Sequence, residues 1–222
     1  MLELVIGNRN YSSWSLRPWV LLRTLGIPFR ETRIPLFEAA SPPALAAVSP
    51  SGKVPVLRDG AQEGGLVAWE SLAICETIAE RAPQAWPADA AARAHARSVS
   101  HEMHAGFAAL RAEFPMNCRA RRRGVVASAA AARDIGRVQH IWADCRARHG
   151  AAGPWLFGAY SIADAMYAPV VFRFATYGID CPGAAGSYVE HALASAPMRE
   201  WLAGARAETE VIAAAEIGES ID

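Results

Sequence analysis

Asn10-Tyr11-Ser12-Ser13-Trp14-Ser15-Leu16-Arg17-Pro18-Trp19 joins an apolar run, Leu2 to Ile6, to a helical run, Trp19 to Leu25. A short apolar run closed by polar residues reads as a buried strand. The residues after the serines read as a helix over 15–26, ended by Gly26 at a C′-like position with Pro28 just beyond. Pro18 then falls in the first turn, where its missing N–H does no harm. A serine cluster at such a junction has two uses. A hydroxyl can cap the helix by accepting a first-turn N–H. It can also face a bound thiol or anion, because those N–H groups favour negative charge. Three serines in four positions cannot all be the cap, so both uses stay open.

Working outward, Arg30 to Pro35 alternates and ends in proline, which predicts an edge strand. Ser41-Pro42-Pro43 opens a short helix through about Val48. Val54 to Arg58 and Leu66 to Trp69 read as paired strands with a hairpin turn at Asp59-Gly60. Glu70-Ser71 starts a helix whose apolar face is Leu72, Cys75, Ile78 and Ala79. The order strand, helix, strand, helix, strand, strand, helix combines a parallel crossover with a hairpin and a helix.

Ala82-Pro83-Gln84-Ala85-Trp86-Pro87 breaks helical periodicity and reads as a linker. Everything beyond it reads helical. One helix is predicted from about Ala88 to Phe114, with Val99, Met103, Phe107, Leu110 and Phe114 on one stripe. A second runs from about Arg121 to His149, and Pro154 to Gly158 is a loop. Ser161-Ile162-Ala163-Asp164 matches a helix-start box. The almost uncharged helix after it, Ala165 to Tyr177, belongs at the centre of the second half. Shorter helices near 187–194 and 197–207 finish the chain.

The 222 residues suffice for one large domain or two small ones, and 52% hydrophobic content supports a sizeable core. A formal net charge of zero argues against nucleic acid or an acidic membrane held by bulk charge. Four scattered cysteines, Cys75, Cys118, Cys145 and Cys181, form no C-x-x-C pair, which points to a reducing, cytoplasmic compartment. Glu3 interrupts the first apolar stretch, so no signal peptide is expected, and no run is long enough to span a membrane. His101-Glu102-Met103-His104 is one residue short of a zinc-type H-E-x-x-H, and no metal is expected. Arg119 to Arg123 is the only dense charge run; it reads as a solvated helix start, or as a basic wall for an acidic substrate.

Taken in order, these parts resemble the cytosolic glutathione transferases along nearly the whole chain. Val54-Pro55 resembles that family's Val-Pro with a cis proline. Glu70-Ser71-Leu72-Ala73-Ile74 resembles its Glu/Gln-Ser-x-Ala-Ile helix start, and Ser161 to Asp164 its Ser/Thr-x-x-Asp box. Ser12-Ser13-Trp14-Ser15-Leu16-Arg17 is most similar to the zeta-class Ser-Ser-Cys-x-x-Arg, with Trp14 at the cysteine position. The resemblance implies an α/β thioredoxin-like, glutathione-binding domain over 1–82, a linker over 83–89, and an all-α second-substrate domain over 90–222.

It further implies a serine-type transferase that uses glutathione as co-substrate and forms a homodimer, with a role in detoxification. The alternatives are a non-catalytic glutathione- or ligand-binding member, or a zeta-like cis–trans isomerase. Ser12 matches the zeta catalytic serine; counting back from the arginine as in theta- and delta-type enzymes selects Ser13 instead. The resemblance assigns Lys53, Val54, Pro55, Glu70 and Ser71 to glutathione. Val54 would offer its backbone to the tripeptide, Glu70 would take the γ-glutamyl ammonium, Ser71 its carboxylate, and Lys53 the glycine carboxylate. Tyr11, Trp14, His101, His104, Ala108 and Arg111 are the candidate walls for the small electrophilic substrate. Each has a plainer reading: Ser71 as a cap, Glu70 as a dipole partner, Lys53 as a solvated lysine, the aromatics as core.

Overall fold

The computed structural model describes residues 1–60 and 65–221. The first strand, β1 (Leu2–Ile6), pairs in parallel with β2 (Phe29–Arg33) and antiparallel with β3 (Val56–Asp59), which pairs antiparallel with β4 (Leu66–Trp69). The sheet order is therefore β2-β1-β3-β4, with β2 at an edge as its proline-ended sequence predicts. Alternation along β1 sends Leu2, Leu4 and Ile6 into the main core and Val5 into a smaller one with Ile34, Leu45 and Val56. That smaller core seats α2 (Ser41–Ala46). The main core holds α1 (Ser13–Thr24) and α3 (Ser71–Arg81), which pack on each other. The Asp59-Gly60 turn sits at the end of β3 and runs into 61–64, which lie outside the described residues.

Helix α1 begins at Ser13 rather than 15, because Ser12 caps it. Pro18 is thus in its interior, and the carbonyl of Trp14 gets no helix bond from that position. The helix ends as read: Gly26 lies at φ +66°, with Gly26 N–H bonded to Arg23 O and Ile27 N–H to Leu22 O. Those two bonds close a Schellman motif, which needs a residue without a Cβ at that point.

The second half is helical: α4 (Ala90–Ala105), α5 (Ala108–Glu113), α6 (Ala129–His149), α7 (Ile162–Tyr177), α8 (Gly183–Ala194) and α9 (Ala196–Ala207). A two-stranded ribbon pairs β5 (Arg122–Arg123) with β6 (Glu219–Ser220). The box at Ser161 forms, with Asp164 accepting the Ser161 N–H at 2.8 Å and the Leu156 N–H at 3.0 Å. Every residue of α7 but Ala175 is buried, so this helix is the central pillar that its composition predicts. It packs against α1 from the first half and α4 from the second.

Two helical expectations need correction. The helix predicted over 88–114 breaks: Gly106 is extended and Phe107 is left-handed at φ +61°. All five stripe residues are nevertheless buried, because α5 turns to return Leu110 and Phe114 to the core. The break strands carbonyls at the end of α4, and the Arg111 guanidinium donates to those of Met103 and His104. The helix predicted from Arg121 starts only at Ala129, where Ser128 caps it by accepting the Ala131 N–H at 3.1 Å. The arginine run is therefore not a solvated helix start. Arg119 donates to Glu208 O, Glu210 O and the Tyr11 hydroxyl, and Arg122 pairs with Glu216.

Candidate functional site

The serine loop sits between β1 and α1 and is held from both halves of the chain. The Glu208 carboxylate accepts the N–H groups of Arg9 at 2.7 Å and Asn10 at 3.0 Å. The Asn10 side chain bonds to Asn117 at 2.8 Å and accepts the Arg119 N–H at 2.9 Å. The Tyr11 hydroxyl donates to Glu216 at 2.6 Å. Nothing in the sequence marks these partners, which lie more than a hundred residues away.

Within the loop the serines divide their work. Ser12 Oγ accepts the Ser15 N–H at 3.4 Å and lies 2.7 Å from Ser15 Oγ. Ser15 Oγ in turn accepts the Gly7 N–H at 3.1 Å. Either hydroxyl of this pair can be the donor; when Ser15 donates to Ser12, the Ser12 proton is free to point outward. Ser13 is half-buried, and its hydroxyl has no hydrogen bond among the described residues. Both Ser12 and Ser13 line a cavity of about 600 Å³, with Tyr11, Trp14, Leu36 and Leu45.

A smaller cavity of about 130 Å³ shares Trp14, Lys53 and Val54 with it and adds Ser51, Pro55, Glu70 and Ser71. The chain folds these residues together through three local features. The Val54–Pro55 peptide is cis, and Val54 lies just outside the β3 ladder. Ser49 Oγ donates to Lys53 O at 2.7 Å and accepts Lys53 N–H at 3.1 Å, fixing that loop. Glu70 holds a left-handed φ of +67° between β4 and α3, a conformation that bulky residues adopt at a cost and that clusters at ligand sites. Ser71 is then the buried first residue of α3, beside its free N–H groups.

Behind this cavity lies a basic cluster. Arg17 is 1% exposed, and its guanidinium lies over the Trp14 ring at 4.3 Å. It donates to Met166 O at 3.2 Å and to Ser71 Oγ at 3.3 Å. Arg111 also lies over Trp14, at 4.8 Å, and His104 meets its edge at 5.4 Å. His104 Nε2 is 3.8 Å from the Glu70 carboxylate. Burial, reinforced by repulsion from Arg17, lowers the His104 pKa, so it is neutral near pH 7. Burial, then repulsion from Arg111 and Arg173, lowers Arg17 well below its ordinary value, though a guanidinium stays charged.

The five candidate residues Lys53, Val54, Pro55, Glu70 and Ser71 thus line one cavity, and Ser12, Ser13, Tyr11 and Trp14 line the one that joins it. His104 reaches the site through Trp14 and Glu70, Arg111 reaches it through Trp14, and His101 and Ala108 are exposed and line neither cavity. His101 bonds to Arg97 O and Glu102 pairs with Arg137. Among the described residues no group of three His, Cys, Asp or Glu is placed to hold a metal. The walls Leu36, Leu45 and Ser51 carry no motif that sequence reading could find.

Residues 11–81 match the family model for the glutathione S-transferase N-terminal domain, which spans the serine loop, Val54-Pro55 and Glu70-Ser71. No curated protein matches the chain in sequence. Among solved structures, it is similar to a glutathione transferase homolog from Burkholderia GL BGR1 with bound glutathione, at 22% identity and TM-score 0.66, covering 93% of this chain and 99% of that one. It is also similar to FzlA from C. crescentus, at 20% identity and TM-score 0.70, covering 91% and 92%. A glutathione transferase family member from Pseudomonas fluorescens pf-5 with two glutathione bound aligns at 20% identity and TM-score 0.66, over 90% and 92%. The chain therefore has the fold of the glutathione transferases, a thioredoxin-like region followed by a helical one.

Proposed function

We propose that this protein binds glutathione and activates its thiol through a serine hydroxyl for attack on a small electrophile. The observation that carries the reading is the meeting of Lys53, Val54, Pro55, Glu70 and Ser71 in one cavity that shares Trp14, Lys53 and Val54 with the cavity lined by Ser12 and Ser13. The tripeptide's chemistry fits those groups. Val54 has backbone groups outside the sheet ladder, suited to pairing with an extended peptide. Glu70 faces an ammonium; Ser71, at a helix start, faces a carboxylate; Lys53 faces the glycine carboxylate.

The sulfur then lies toward the N-terminus of α1. We assign the donor to Ser12, with Ser15 donating to Ser12 Oγ so that the Ser12 proton is free for the sulfur. A free thiol titrates near pH 8.5. Lowering that pKa by ~2 units corresponds to about 2.7 kcal/mol of preference for the thiolate. The serine stabilises charge, and the glutathione sulfur is the nucleophile. The second substrate occupies the larger cavity against Tyr11 and Trp14, with His104 and Arg111 bracing the indole. Glutathione is the only cofactor we assign. We place the protein in the cytoplasm; among the described residues no helix is long and apolar enough to cross a membrane. We expect a homodimer, in keeping with exposed Val67 and Trp69 on edge strand β4.

The test is calorimetric titration with glutathione, followed by turnover with a panel of electrophiles. Binding in the micromolar to millimolar range with conjugation of one or more electrophiles is expected. Absence of binding at millimolar glutathione overturns the reading, and binding without turnover leaves a ligand-binding protein in place of an enzyme.

A further inference from the structure

Arg17 and Arg173 are the two buried arginines of this chain among the described residues, and of the two Arg17 reaches the small cavity, through Ser71. Arg9, Arg33, Arg81 and Arg137 each pair with a carboxylate at 2.6 to 2.8 Å. Arg17 is the more buried, yet its hydrogen bonds go to a carbonyl and a hydroxyl. Its charged neighbours, Arg111, Arg173 and His104, carry or can carry the same sign. Among the described residues no carboxylate bonds or pairs with it, and the acidic groups with the largest influence on it are Cys75 and Tyr167; burial pushes the Cys75 thiol up to about 12 and Tyr167 well above its usual value. Neither is an anion near neutral pH. A buried cation without a counter-charge is unfavourable by several kcal/mol.

The missing anion has one evident place. Ser71 Oγ accepts from Arg17 and also lines the small cavity. A hydroxyl has one proton to give. With a guanidinium on one side, that proton points into the cavity, and the group presents itself to a ligand as a polarised donor. Such a donor favours a carboxylate over an amide and disfavours an ammonium. In the same cavity the Glu70 carboxylate lies 3.8 Å from His104 Nε2, a neutral neighbour that leaves it available to an ammonium.

We infer that Arg17 is a positioning and specificity-determining residue: acting through Ser71, it makes the small cavity select a ligand that carries a carboxylate there, and so fixes the orientation of a zwitterionic head. The inference rests on the glutathione reading of this cavity. It adds a charge from the first helix of the chain to a subsite lined by the third.

The experiment compares glutathione with 4-aminobutyryl-cysteinyl-glycine, the same tripeptide lacking the γ-glutamyl carboxylate, by calorimetry on the full chain. A charge-assisted bond to a carboxylate corresponds to about thirtyfold in affinity, so the wild type is expected to prefer glutathione by about that ratio. Arg17→Met is expected to cut the ratio to below about fivefold, through weaker binding of glutathione and unchanged binding of the analogue. Arg17→Lys, which keeps the charge without the fork, restores part of it. A residue that merely supports the fold would weaken both ligands alike and leave the ratio intact. A wild-type ratio in Arg17→Met therefore overturns the inference. So does a wild type that binds glutathione without discriminating; this outcome leaves the glutathione reading standing. Failure of the wild type to bind either peptide overturns both. Should Arg17→Met fail to fold, Arg17→Gln, which keeps a hydrogen-bond donor without the charge, decides: a ratio below about fivefold supports the inference, and a wild-type ratio overturns it.

Discussion

Replacing Ser12 by alanine tests whether one serine serves as both cap and thiol donor. The structural part of the loss follows from two contacts. Ser15 N–H loses its acceptor at 3.4 Å, and Ser15 Oγ loses its 2.7 Å partner. Loss of a helix cap is worth about 1 kcal/mol. A buried hydroxyl left with an unplaced proton adds up to about 1 kcal/mol more. Ser12→Ala is therefore expected to lower stability by about 1–2 kcal/mol, read from the urea midpoint at unchanged slope. Ser13→Ala removes a hydroxyl that bonds to nothing among the described residues, and should stay within about 0.5 kcal/mol of wild type. The chemical part is read by titrating the bound thiolate through its ultraviolet absorbance. The thiol pKa is expected near about 6.5 in the wild type and near about 8.5 in Ser12→Ala. At pH 6.5 that change cuts the thiolate fraction about fifty-fold, and conjugation with it. An unchanged titration in Ser12→Ala with a raised pKa in Ser13→Ala would transfer the role to Ser13. Unchanged titrations in both would refute activation by a serine hydroxyl.

The other predictions concern the scaffold. Asp164→Ala strands the Leu156 N–H, the Ser161 N–H and the Ser161 hydroxyl, and should lower stability by about 3 kcal/mol or more; a loss below about 1 kcal/mol in urea denaturation would contradict the role of the box. Burial pushes the Asp164 carboxyl up to about 6, whereas in the unfolded chain it ionises near about 3.9. Between those values the native state keeps a proton that the unfolded chain has lost, so this group's contribution to stability falls as pH rises. Asp164→Asn should flatten that slope, and an identical pH profile in the variant would contradict it. Gly106→Ala places a Cβ 2.8 Å from Glu102 O and should destabilise by about 1–3 kcal/mol in thermal melts; no loss would show that the α4–α5 break tolerates a side chain.

The part of the fold governed by local chemistry was legible. Gly26 ends α1 with the bonds its position implies, Pro35 follows an edge strand, and the box at Ser161 opens α7. The α4–α5 break was not legible, because Phe107, Leu110 and Phe114 keep the apolar stripe running across it. A stripe reports which residues are buried; it does not report that the backbone between them is left-handed. The Arg119–Arg123 run misled for a related reason. Charge density alone says nothing of Glu208, Glu210 and Glu216, which arrive from the far end of the chain. The site divides in the same way. Resemblance collected Lys53, Val54, Pro55, Glu70 and Ser71, which share a cavity. Ala108 lies beyond the break, where the face of α4 no longer continues, and His101 lies within α4 on its exposed side. Arg17 stands within the serine motif, but that no carboxylate among the described residues pairs with it is a property of packing alone.

The most direct test of the account is a structure of the protein with glutathione bound. The account predicts the tripeptide along Val54, its γ-glutamyl head between Glu70 and Ser71, and its sulfur within hydrogen-bond reach of Ser12 Oγ. Glutathione bound elsewhere, or lying in this cavity with its sulfur turned away from both Ser12 and Ser13, would contradict it.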